Sequence, residues 1–134
     1  MTGRGLAALC MVSLAMLLVY FWTGILVARA RARLGVPAPA TQGPDEFNRI
    51  FRAHVNTLEQ LALGLPAFWI LAQITRTQFA VGLASIWLVG RILYVLGYSA
   101  AAEKRSLGFT LTALPTLAAI LWAALAFGLW ILGH

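Results

Sequence analysis

The segment Arg52-Ala53-His54-Val55-Asn56-Thr57-Leu58-Glu59 leads directly into an apolar stretch that continues to Thr75. Arg52, Asn56 and Glu59 are spaced i, i+4 and i+7, so a helix carries a guanidinium, an amide and a carboxylate on one face. His54, two residues from either neighbour, points elsewhere. A second polar face follows, with Arg91, Tyr94 and Tyr98 at i, i+3 and i+7. Arg105 and Ser106 lie just beyond it, and Arg31 stands past the end of the first apolar run. Arginine forks bind carboxylates. A glutamate holds an ammonium, and an asparagine both donates and accepts. Tyrosines set hydroxyls on apolar rings. An arginine beside a thiol favours the thiolate, the nucleophilic form. A small zwitterion with carboxylates, an amine and a thiol matches the set. An architectural reading fits as well: Arg52 or Arg91 paired with Glu59 locks helices together, because charges inside a membrane commonly pair with each other.

These faces must be held by elements suited to a bilayer. Of 134 residues, 61% are hydrophobic and only 10% charged, whereas soluble domains carry about a quarter charged residues. Four apolar spans are expected, at 6–28, 45–75, 79–100 and 107–132, each supplying the roughly 20 residues that cross a hydrocarbon core. Without water in that core the backbone must satisfy itself, and helices do so. The expectation is an all-α integral membrane protein, a bundle of four transmembrane helices forming one domain over residues 1–134. The first span is too long for the apolar region of a signal peptide. Residues 29–44, with Gly35, Pro37, Pro39, Gly43 and Pro44, are expected to form a loop. Asp45-Glu46 opens the second helix, where acids suit the first turn. The other connections, around Arg76-Thr77-Gln78 and 101–105, are short. Pro66 and Pro115 fall inside spans, where kinks are tolerated.

Helices two and three run in opposite directions, so Tyr98 lies nearest the third connection and Arg91 deepest. All the polar groups therefore gather toward one side of the membrane. Arg29, Arg31, Arg33, Arg49, Lys104 and Arg105 lie on that side, against Arg4, Arg76 and His134 on the other. The positive-inside rule puts the first and third connections in the cytoplasm. The net charge of +6 does not indicate a nucleic-acid partner, because the basic residues adjoin apolar spans. Two histidines and one cysteine, far apart, offer no metal-ligand spacing. No Ser-His-Asp set and no phosphate-binding glycine loop is present. Cys10 and the five tryptophans read as packing or membrane-facing residues.

Taken together, Arg52-Ala53-His54-Val55-Asn56 with Glu59, then Arg91, Tyr94 and Tyr98, then Arg105-Ser106, resemble the MAPEG family of membrane-associated proteins in eicosanoid and glutathione metabolism. Ala30-Arg31, Gly43-Pro44 and Glu46-Phe47 extend the likeness, which runs from about Arg29 through the fourth span. The branch most similar is that of microsomal glutathione transferases and cysteinyl-leukotriene synthases. The resemblance implies a four-helix protomer in a homotrimer, with glutathione bound as co-substrate between neighbouring subunits and a lipophilic electrophile arriving from the membrane lipid. By position, Arg31, Arg52, His54, Asn56, Glu59, Tyr94 and Tyr98 would contact glutathione. Arg105 would be catalytic, stabilising the thiolate, and Arg91, Arg29 and Ser106 would support the site. No metal is implied. Gln60 departs from the leukotriene synthase pattern, and Tyr94 and Val55 from the prostaglandin E synthase branch; these differences argue against prostaglandin synthase activity and leave the lipid substrate open. Short loops suggest a bacterial inner-membrane protein. The same thiolate could serve glutathione-dependent reduction of lipid hydroperoxides. The rival expectation is a non-catalytic lipid-binding or scaffold member of the family, which would not need Arg105.

Overall fold

A computed structural model describes residues 1–133 of the chain. It consists of α1 (Gly3–Leu34), α2 (Asp45–Ile74), α3 (Thr77–Ala100) and α4 (Ser106–Ile131), with a 3₁₀ turn at Ala102–Arg105 and no strand among the described residues. All four helices are long and apolar enough to cross a membrane. The expected all-α four-span architecture is therefore what the chain forms.

One boundary differs from expectation. The first loop does not start at Arg29, because α1 continues to Leu34 and stops at Gly35, in the left-handed region with φ 66° and ψ 34°. Arg29, Arg31 and Arg33 are helical, almost two turns beyond the end read from hydropathy. Hydropathy marks where the hydrocarbon ends, not where the helix ends. Arginines complement the negative end of the helix dipole, and Gly35 is the first residue that adopts the terminating conformation without a Cβ penalty. The start of α2 agrees with expectation: Pro44 precedes Asp45 and Glu46 in the first turn. The Asn48 amide closes this corner by accepting from Gly43 N–H and donating to Gly43 C=O, both at 2.9 Å.

α2 and α3 each pack against the other three helices, and α3 packs most extensively on α4. That contact is a near-touch of backbones. A Cβ on Gly90 would come within 2.7 Å of the Leu111 carbonyl carbon, and one on Gly108 would overlap the Tyr94 backbone. Small residues permit such approach where lipid supplies no hydrophobic drive between helices. The consequence is positional: Tyr94 is held against the first turn of α4. Leu9, Met16, Phe68, Leu71 and Trp87 fill the main core, while Leu18, Phe21, Leu121, Leu125 and Trp130 face outward. Buried Thr57, Thr112 and Thr116 donate to carbonyls one turn back in their own helices. Trp69 Nε1 donates to Ser13 Oγ at 3.0 Å, tying α2 to α1.

Candidate functional site

The α2 face forms as its spacing requires. Arg52 meets Glu59 through two contacts, Nη1 to Oε1 at 3.2 Å and Nη2 to Oε2 at 3.4 Å. Asn56 Nδ2 donates to Glu59 Oε2 at 2.9 Å. From α3, Arg91 Nη1 donates to Asn56 Oδ1 at 3.0 Å and to its backbone carbonyl at 3.2 Å. Arg91 has no exposed surface, and its guanidinium lies 4.0 Å from the Tyr94 ring centroid. The result is a relay from a buried cation through a neutral amide to a half-exposed ion pair.

In front of the relay opens a cavity of about 400 Å³ lined by Arg52, Asn56, Tyr94, Tyr98, Arg105, Ser106, Phe109 and Thr110. The Tyr94 and Tyr98 rings lie 5.5 Å apart, and the Arg105 guanidinium sits 5.5 Å from the Tyr98 centroid. Arg105 joins no ion pair among the described residues, whereas Arg52 is paired. The cavity therefore presents one uncompensated cation, one cation–anion pair that a zwitterion could exchange with, and two phenols. Six sequence-derived candidates line it; Glu59 and Arg91 stand behind it as partners of Arg52 and Asn56. Phe109 and Thr110 were not anticipated, although they follow Ser106 at i+3 and i+4 and so must share its face once α4 starts there.

Three candidates lie elsewhere in the chain. Arg31 Nη1 donates to the carbonyls of Ala40 at 2.7 Å and Val36 at 3.4 Å, with its guanidinium 5.1 Å from the Phe47 ring centroid. It fastens the first loop over the start of α2. His54 faces α1: its ring stacks on Tyr20 at 4.9 Å, and Nδ1 shares a hydrogen bond with Thr23 Oγ1 at 2.8 Å. It lines a second, largely apolar cavity of about 420 Å³ with Tyr20, Phe21, Gly24 and Ala28. Arg29 borders a cleft between α1 and α3. No group of three or more His, Cys, Asp or Glu side chains able to hold a metal occurs among the described residues.

The fold and site define a polytopic membrane protein with a basic, tyrosine-walled cavity near one end of its bundle. The MAPEG family pattern matches residues 7–125, and the chain belongs to that family. It is 37% identical to microsomal glutathione S-transferase 2 of Mus musculus over 120 residues, covering 86% of this chain and 80% of that protein. It is 33% identical to leukotriene C4 synthase of Cavia porcellus over 129 residues, 96% of this chain and 83% of that protein. An uncharacterized protein of Synechocystis is 42% identical over 113 residues, 84% and 82% of the two chains.

Proposed function

We propose that the protein is a membrane glutathione transferase. The observation that carries the reading is the unpaired Arg105 at the wall of the cavity, beside Tyr98 and across from the Arg52–Glu59 pair. The names of the mammalian relatives support the choice of glutathione as co-substrate. In this reading a glutathione carboxylate takes one arm of Arg52 and its ammonium takes Glu59, exchanging one exposed ion pair for two. Asn56, Tyr94 and Tyr98 fix the peptide. The positive field of Arg105 favours the charged thiolate, so the thiol proton leaves to water near neutral pH. The thiolate then attacks an electrophilic carbon of a lipophilic substrate, a C–S bond forms, and the leaving group departs with its electron pair. Arg31 and His54, on the other side of the protomer, reach a glutathione only if a neighbouring copy brings them to it. The proposed assembly is accordingly a homotrimer with the site between subunits. Arg29, Arg31 and Arg33 at the end of α1, with Lys104 and Arg105 before α4, favour a cytoplasmic entrance in a bacterial inner membrane.

The test is spectroscopic. Protein in detergent receives glutathione at neutral pH, thiolate absorbance is followed in the ultraviolet, and a generic aryl halide is added. The expected result is a thiolate signal with conjugate formation. In Arg105→Ala, both are lost while glutathione still binds, and the pH profile of conjugation moves up by about one unit or more. A variant that loses binding and turnover equally would remove Arg105 from the chemistry. Glutathione binding without thiolate in the unaltered protein would favour the non-catalytic relative instead.

A further inference from the structure

A groove between α1 and α3 is unused by this chemistry. Its polar end is a cleft of about 300 Å³ whose walls include Trp22, Leu26, Arg29, Arg33, Leu96 and Ser99. Deeper along the same two helices lies a cleft of about 310 Å³ walled only by Leu18, Val19, Trp22 and Ile92. Trp22 borders both, so they are two sections of one groove. Its mouth and floor differ sharply in chemistry. Arg29 is exposed and joins no ion pair among the described residues, while Arg33 is held by Glu46. Ser99 Oγ is buried at the cleft without a hydrogen-bond partner, a state that costs free energy unless an incoming oxygen meets it. The floor is purely apolar.

The dimensions select an occupant. Arg29 and Leu18 stand 11 residues apart on α1, about 16 Å at 1.5 Å per residue. That is close to half of a hydrocarbon core of roughly 30 Å, and so the depth that one leaflet's acyl chain spans. A phosphate oxygen suits both the free guanidinium and the orphaned hydroxyl. A choline headgroup would instead bring a second cation to Arg29. We infer that the α1–α3 groove binds one anionic phospholipid, its phosphate at Arg29 and Ser99 and an acyl chain running past Trp22 to Leu18 and Ile92. None of these residues lines the Arg105 cavity, so the assignment stands or falls independently of the glutathione reading.

Native mass spectrometry of the detergent-solubilised protein tests it, with phosphatidylglycerol or phosphatidylcholine of identical acyl chains added at equal concentration. The expected result is one retained phosphatidylglycerol per chain, favoured about fivefold over phosphatidylcholine. Arg29→Gln removes the preference, Arg29→Lys keeps it, and Arg4→Gln near the other end of α1 leaves it intact. Leu96→Trp fills the groove and lowers retention of both lipids. Equal retention of the two lipids would overturn the assignment, as would a preference that survives Arg29→Gln or disappears in Arg4→Gln. Full retention in Leu96→Trp would equally overturn it, by tracing binding to general surface attraction rather than the groove.

Discussion

The pair Arg91 and Asn56 predicts an asymmetry. Arg91 is a cation with no exposed surface, and among the described residues its only hydrogen-bond partners are the side-chain and backbone oxygens of Asn56, with Nε and Nη2 left unpaired there. Replacing Asn56 by leucine deletes the bond to Oδ1 and leaves the charge in place. A hydrogen bond to a charged group contributes about 1.5–3 kcal/mol, and the stranded guanidinium adds its own desolvation cost. The bond to the Asn56 backbone survives, so Asn56→Leu should cost about 2–3 kcal/mol. Arg91→Met removes the charge itself and fills similar volume. Only a neutral amide oxygen is then left short of a partner, so the cost should stay near 1 kcal/mol. Once the cation is absent Asn56 keeps only its bond to Glu59, whose carboxylate Arg52 also serves, so the double variant should resemble Arg91→Met, with a coupling of about 2 kcal/mol. Equilibrium unfolding in detergent micelles measures all three. The reasoning fails if Arg91→Met is as damaging as Asn56→Leu, or if the two effects simply add.

Two further outcomes follow from the same geometry. Gly108→Val should separate α3 from α4, because any side chain there meets the Tyr94 backbone; a loss of more than about 2 kcal/mol is expected from overpacking, and unchanged unfolding would refute the close contact. If the site lies between copies, as proposed, subunits carrying Arg105→Ala and subunits carrying His54→Ala should complement one another. Randomly mixed at equal amounts, roughly a quarter of sites would join an intact cavity to an intact neighbouring face, and recovered conjugation measures them; no recovery would mean that one chain supplies the whole site.

Much of this protein follows from one-dimensional rules. Low charge and four apolar runs require four helices, since a bilayer offers the backbone no other partner. Helical spacing alone puts Arg52, Asn56 and Glu59 on one face and Arg91, Tyr94 and Tyr98 on another, and the structure draws these two faces together across α2 and α3. Proline and glycine mark the first loop, but its first residue is not legible in hydropathy, which stops at the hydrocarbon edge while α1 continues to Leu34.

Rotation of each helix about its axis, and the choice of neighbour, were decided only by tertiary packing. His54 was known to diverge from Arg52 and Asn56, yet only the α1–α2 contact turns it onto Tyr20 and Thr23. Arg31 carries the same charge as Arg105, but one bends back onto the carbonyls of its own loop while the other opens onto a cavity. Arg29 faces the opposite groove altogether. Phe109 and Thr110 look like ordinary span residues until Gly90 and Gly108 let α3 and α4 touch and bring them beside Tyr94. Spacing along a helix is local geometry and can be read from residue order. Which groups converge depends on how closely backbones approach, and that is settled by volumes on two helices at once.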